Sequence, residues 1–173
     1  WNTEVEKSFI YSSNSANTTP YFGDFAPTPV DQGQTFTLTV NADTAAAHIF
    51  DAPIFTSTQT GNQIQTLTSV DKLTGTAATD DVLNAILNAT EVTTKPTMSG
   101  VEKVNLTAIA ASIFDAANST GITEIGSIDS NSNLTVRNLA AGATVVVKNT
   151  AAGGATGAST QVQFANAAAA GTS

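Results

Sequence analysis

Five aspartates stand where a hard cation could use them. Asp71, Asp80 and Asp81 flank a turn centred on Gly75, with Thr74 beside it, and Asp43 and Asp51 stand at the ends of strand-like segments just upstream. Calcium takes six to eight oxygens, which carboxylates and turn carbonyls supply together. The expectation is that calcium is held by some of Asp43, Asp51, Asp71, Asp80 and Asp81. The competing use of the same residue type is local, because an aspartate at a turn bonds the backbone N–H groups of its own segment. A second polar run, Asp129 to Asn133 (DSNSN), has the opening of an EF-hand loop. It lacks both the glycine at the sixth position and the glutamate at the twelfth.

Catalytic chemistry has fewer candidates. His48 is the one histidine, and it stands in an apolar run beside Ile49 and Phe50, where a packed or surface histidine is expected rather than a general base. No nucleophile elbow, HExxH or phosphate-loop pattern occurs. A polysaccharide lyase or hydrolase would need paired carboxylates and a base along one groove. Asp80 and Asp81 with Lys72 are the one such grouping. No catalytic residue is assigned, and the expectation is a protein that is not an enzyme.

The composition narrows the partners. The 173 residues carry 6 Lys and Arg against 14 Asp and Glu, a net charge of −8, and only 12% are charged. Ordinary soluble domains are about one quarter charged. Six scattered bases cannot neutralise a row of phosphates, so nucleic acid and anionic lipid surfaces are excluded as partners. There is no cysteine, hence no disulfide and no thiolate metal site. No apolar run approaches the length that spans a bilayer as a helix, so membrane insertion is not expected. The polar surface is instead made by Thr, Asn, Ser and Gln, and Thr doubles as a good strand residue.

These residues must be positioned by strands. Residues 1–32 form an irregular arm rich in Pro and aromatics, with Trp1, Phe9, Tyr11, Tyr21, Phe22 and Phe25 among Pro20, Pro27 and Pro29. Such a segment carries too much apolar surface for a spacer, and it is expected to pack on its own domain or on a neighbouring subunit. Residues 33–173 read as a β-strand-repeat domain that continues in a longer parent chain, of which Trp1 to Ser173 is a processed piece. Gly33 to Val40 alternates Phe36, Leu38 and Val40 against Thr35, Thr37 and Thr39, which predicts a half-buried strand. A turn is expected at Asn41 to Thr44. His48 to Phe55 predicts an edge or bent strand, because Pro53 interrupts it. A turn at Gly61-Asn62 follows.

The central stretch, Asp71 to Ala108, sets two apolar runs, Val82 to Leu87 and Val101 to Leu106, around a polar connection. Val82, Leu83, Ile86 and Leu87 fit a turn and a half of helix capped by Thr79 or Asp80, while Leu83, Ala85 and Leu87 fit a strand, and the β-branched Thr/Val stretch that follows favours strand; Val101 to Leu106 is read as a strand. Ala108 to Asn118 fits a short helix ended by Gly121, with Ile109, Ile113 and Phe114 on one face. Beyond Gly121, apolar pairs separated by tight turns recur at spacings too short for helices. The fold class is all-β, a β-solenoid or a stacked β-sandwich with an irregular N-terminal arm and one short helix at most.

The order FTLTVNADT (Phe36 to Thr44), FDAP (Phe50 to Pro53), DKLTGTAATDDVLNAIL (Asp71 to Leu87) and SGVEKVNLTA (Ser99 to Ala108), followed by STGITEIGS and SNLTVRNL, resembles bacterial surface-layer proteins. Related giant surface proteins with calcium-binding β-strand repeats, of the RTX-like secreted kind, share the likeness, which covers Gln34 to about Val147. The Gly-rich nonapeptide of RTX calcium rolls is absent. The resemblance implies a secreted, cysteine-free, β-rich protein at the bacterial cell surface that binds calcium and assembles with itself into a layer, sheath or filament. Two other functions fit the same residues. One is an adhesin module that binds a glycan or a host surface, and the other is a β-helix polysaccharide lyase or hydrolase.

Overall fold

The computed structural model describes residues 34–148 and 158–165, and the aromatic arm expected over residues 1–32 lies outside them. Contacts divide the chain between Asp31 and Gln32, and every described residue belongs to the second unit. The described architecture is all-β. Its strands in chain order are β1 (Thr35–Thr37), β2 (Thr44–Ala46), β3 (Ile49–Ala52), β4 (Ile54–Thr56), β5 (Gln63–Gln65), β6 (Lys72–Thr74), β7 (Val82–Leu87) and β8 (Thr97–Ser99). They continue with β9 (Lys103–Ala108), β10 (Ser112–Asp115), β11 (Ser119–Thr120), β12 (Glu124–Ile128), β13 (Leu134–Leu139), β14 (Thr144–Lys148) and β15 (Thr160–Phe164).

Three parallel sheets result. The first has the order β1-β3-β7-β9-β12-β14, the second β11-β8-β6-β2 and the third β10-β13-β15. Parallel neighbours cannot be joined by a tight hairpin and need a crossover between them. Here the crossover from one strand of the first sheet to the next is made of strands of the other two. From β8 to β13 the chain visits the second, first and third sheets in turn, twice over. Each pass lays its strand in register on the pass before, so that Val82 stands beside Lys103, Lys103 beside Glu124 and Glu124 beside Thr144.

Alternation decides what each strand buries. In the first sheet one inward column runs Phe36, Phe50, Leu83, Val104 and Ile125, with the last four fully or nearly fully buried. A second runs Ala52, Ala85, Leu106 and Ser127. Phe114 and Leu134 enter the same interior from the third sheet, and Leu73 and Met98 from the second. Each fully buried Leu or Phe side chain contributes about 1.5–3 kcal/mol by leaving water. Burial of Leu83, Ala85 and Leu87 at every second position is what a strand gives and a helix does not, with the β-branched Val82 and Ile86 on the opposite face.

The β4–β5 pair is the one antiparallel pairing among the described strands, closed by a turn in which Gly61 has a φ of 70°. That matches the turn expected at Gly61-Asn62. In the next coil the same interval, between β7 and β8, is open chain from which Thr94 forms a parallel bridge to Phe114, and in the coil after that it holds β10.

Three expectations are corrected. The strand expected from Gly33 to Val40 stops at Thr37, because the Thr39 N–H and hydroxyl both bond the Asp43 carboxylate and bend the chain. Leu38 remains buried while Val40 is exposed, and Thr44, expected to end a turn, opens β2 instead. Of the two alternatives for His48 to Phe55, an edge strand or a bent one, the bent one is found, with Pro53 between β3 and β4 and β3 inside the first sheet. The short helix expected over Ala108 to Asn118 is strand β10 followed by one 3-10 turn, Ala116–Asn118, in which the Ala117 N–H donates to the capping Asp115 carboxylate. Ile113 and Phe114 are not on one face, since Phe114 points inward and Ile113 does not. No described helix is long and apolar enough to cross a membrane.

Candidate functional site

The five aspartates fall at three separate places. Asp43 and Asp71 meet at the corner that leads into the second sheet. Asp71 is fully buried, and its Oδ1 accepts the Asp43 N–H at 2.8 Å while its Oδ2 accepts the Thr68 N–H at 2.7 Å. Burial pushes the Asp71 carboxyl above its ordinary value, with those backbone hydrogen bonds opposing the rise. The Asp43 carboxylate in turn accepts the Thr39 N–H at 2.7 Å. Both carboxylates hold backbone, one joining rungs and one shaping a turn.

Asp81 stands at the next corner, where the second sheet passes to the first. Its carboxylate is fully buried; Oδ2 accepts the Thr76 N–H at 2.8 Å, and Oδ1 accepts the Thr76 hydroxyl at 2.9 Å. His48 Nδ1 lies 2.7 Å from the same Oδ1 and 3.9 Å from Asp80. Asp80 projects outward, with 66% of its side chain exposed. The adjacent carboxylates therefore share the His48 ring as a neighbour but differ in exposure, Asp81 being sealed from solvent and Asp80 open to it. Lys72, grouped with them in the sequence, lies on β6 in the second sheet. The corner is also joined to the following rung, where the Glu102 carboxylate accepts the Asp81 N–H and the Asp81 carbonyl accepts the N–H groups of Glu102 and Lys103.

Asp51 belongs to neither corner. It is on the outer side of the first sheet, one step from Thr37 and in register with Asn84, which is in register with Asn105. Asn84 Nδ2 donates to Asp51 Oδ1 at 3.1 Å, and Asn105 Nδ2 donates to Asn84 Oδ1 at 3.0 Å. This amide row forms one side of an open groove of about 600 Å³, whose other side is formed by Pro53, Ile86, Thr107 and Ile128, with Lys148 at one end.

Among the described residues no three acidic or histidine side chains gather as a metal would require. The calcium expectation thus has no single site here that Asp43, Asp51, Asp71, Asp80 and Asp81 build together.

Two features were not read from the sequence. Gln65 is buried, donating from Nε2 to the Leu67 carbonyl and the Thr94 hydroxyl and accepting the Asn88 N–H at Oε1. The Asn84 and Asn105 pair also went unread, although a signal for it exists. The two are 21 residues apart, as are Gly100 and Gly121, and Gly121 and Gly142. One turn of chain per 21 residues puts such positions side by side. No family model matches this chain, and neither a curated protein nor a solved structure matches it significantly.

Proposed function

We propose that this chain is a non-enzymatic structural module of an extracellular bacterial surface assembly, a layer, sheath or filament, wound as a β-solenoid and extended end-on by further coils. The observation that carries the reading is the last rung. Among the described strands β14 and β15 each have a partner on one side only. Their core-type positions are Val145 beside Ile125, Val147 beside Ser127 and Phe164 beside Leu139. Ile125, Ser127 and Leu139 are 1%, 4% and 0% exposed, whereas Val145, Val147 and Phe164 are 38%, 63% and 51% exposed. These side chains stand where interior residues stand one rung earlier, and a further coil would bury them as it paired the strand edges.

A second copy adding its opposite end, at β1 and β2, would make a head-to-tail contact. Contacts of that kind do not close on themselves and give filaments or layers. The net charge of −8 and the uncharged Thr and Asn surface suit an exported polymer rather than a nucleic-acid or lipid binder. Calcium assistance rests on the resemblance to surface-layer proteins and not on a site in the described residues. Light scattering at rising protein concentration, with millimolar calcium and then with a chelator, tests both parts. Growth of large particles supports assembly, and their loss in chelator supports calcium. A monomer at every concentration overturns the assembly reading, and particles indifferent to chelator overturn the calcium part alone.

A further inference from the structure

The outer face of the first sheet offers something that the stacking of rungs does not require. Asp51, Asn84 and Asn105 form a hydrogen-bonded row in which each amide donates one N–H toward the preceding rung. A side-chain amide has two N–H donors and an oxygen with two lone pairs. One donor of Asn84 and one of Asn105 are therefore left over from the row, and Asn84 is exposed. The row stops at Gly126, the residue in register with Asn105 on the next strand. A β-carbon there would come within 3.3 Å of Asn105 Oδ1 and 3.0 Å of Ile128 Cδ1, so the absent side chain lets the Ile128 side chain and the Asn105 amide approach each other over the groove floor.

Beside the polar row runs an apolar shelf. Pro53, Ile86 and Ile128 line the groove on the neighbouring outward positions, interrupted by Thr107, whose hydroxyl is turned to the Ile128 carbonyl at 2.8 Å. Adjacent rungs are about 4.8 Å apart, comparable with the advance per sugar of an extended pyranose chain. A ligand lying across the rungs would thus meet amide donors and acceptors along one edge and aliphatic carbon along the other. Its own edge must be rich in hydroxyls and its face in C–H groups. The groove's charges, Asp51 within it and Lys148 at its end, cancel. An anionic polymer gains nothing from such a pair in a protein of net charge −8.

We infer that this groove binds a neutral, extended oligosaccharide across the rungs of β3, β7, β9 and β12, with Asn84 and Asn105 hydrogen-bonding sugar hydroxyls and Ile86 and Ile128 packing under the rings. The inference stands on a different face from the last rung and does not depend on end-on assembly. Glycan contact would tether such a module to a cell wall or to a coated surface.

The test is amide chemical-shift mapping of the isotope-labelled chain titrated with cellohexaose and chitohexaose, and in parallel with a polygalacturonate oligomer of the same length. The expected result is saturable shifts with a neutral hexamer, confined to residues around Asp51, Asn84, Asn105, Thr107 and Ile128, and weaker or no shifts with the acidic oligomer. Asn84→Ala should weaken that binding about five- to tenfold, the loss of one well-placed hydrogen bond, with the spectrum of the free chain altered only around its row partners Asp51 and Asn105. The wild-type map needs no variant, so a poorly folded Asn84→Ala leaves the test intact. No shifts at millimolar neutral glycan, shifts centred elsewhere, or tighter binding of the acidic oligomer would each overturn the inference.

Discussion

A β-carbon added to Gly75 would fall 1.6 Å from the carbonyl oxygen of Gly100. The two glycines occupy successive rungs at one corner, where the Gly75 N–H also donates to the Ser99 carbonyl at 2.8 Å. The same β-carbon would come within 2.7 Å of Asp81 Oδ2, the atom that accepts the Thr76 N–H. Backbone approach between rungs and the seating of a buried carboxylate thus depend on one missing side chain.

Gly75→Ala should therefore cost about 3 kcal/mol or more, at the upper end for overpacking, because the clashing atom is backbone and cannot rotate away. Gly61→Ala, in the β4–β5 turn with nothing within 4 Å, should cost only about 1 kcal/mol for its left-handed φ of 70°. Urea unfolding of both variants checks the ordering, and similar losses would contradict it.

Asp71 and Asp115 should respond to acid in opposite directions. Burial raises the Asp71 carboxyl above its ordinary 3.8, so the folded chain holds that proton more tightly than the unfolded one. Its contribution to stability is full below 3.8 and is lost as pH rises through the raised folded value. At Asp115 burial opposes ionisation, but hydrogen bonds from the Asn138 amide and the Ala117 N–H, with Lys95 and Arg137 nearby, outweigh it and hold the carboxyl below 3.8. Its contribution is full above 3.8 and is lost as pH falls through the lowered folded value.

Asp71→Asn leaves one of two backbone N–H groups without an acceptor and should cost about 1–3 kcal/mol at neutral pH. The gap from wild type should widen as pH is lowered toward 3.8. For Asp115→Asn the gap should shrink below that pH. Denaturant titrations from pH 7 to pH 3 distinguish the two patterns, and parallel curves for the two variants would contradict both assignments.

Leu83 is fully buried in the column between Phe50 and Val104. Leu83→Ala should cost about 2–5 kcal/mol through lost burial and the cavity left behind. Val92, which is 89% exposed, should tolerate Ala within about 0.5 kcal/mol. Thermal unfolding of the pair reads the contrast directly.

The strand content was legible where alternation was clean. Val104 and Leu106 alternate with polar neighbours, Val82 to Leu87 fitted helix or strand until the β-branched Thr/Val stretch after it decided for strand, and Pro53 announces the break between β3 and β4. The parallel pairing was not legible from any single strand, because period-two alternation is the same whichever way the neighbour runs. It lay in the 21-residue spacing of Gly100, Gly121 and Gly142, obscured upstream by the β4–β5 hairpin, which separates the paired Ile49 and Val82 by 33 residues, and by the chain from Gly75 to Asp81, which separates the paired Lys72 and Thr97 by 25.

The aspartates were found as turn residues, but their partners were not. Asp80 and Asp81 are adjacent, yet one is exposed and the other is sealed beside His48, a residue 33 positions away that only the fold brings near. Asp51 looked like a strand-end ligand because its neighbours Asn84 and Asn105 are distant in sequence and only the register brings them together. Ala108 to Asn118 misled for a related reason, since Ile109, Ile113 and Phe114 also fit a helical face until Phe114 is paired with Val136 in the third sheet.

The most direct test of end-on assembly is negative-stain microscopy with light scattering of the wild-type chain and of a Val147→Asp, Phe164→Asp double variant. Both side chains are exposed, so the variant should fold with unchanged circular dichroism. The account predicts filaments or sheets for the wild type and monomers for the variant. A wild type that stays monomeric at high concentration, or a variant that assembles as readily as the wild type, would contradict it.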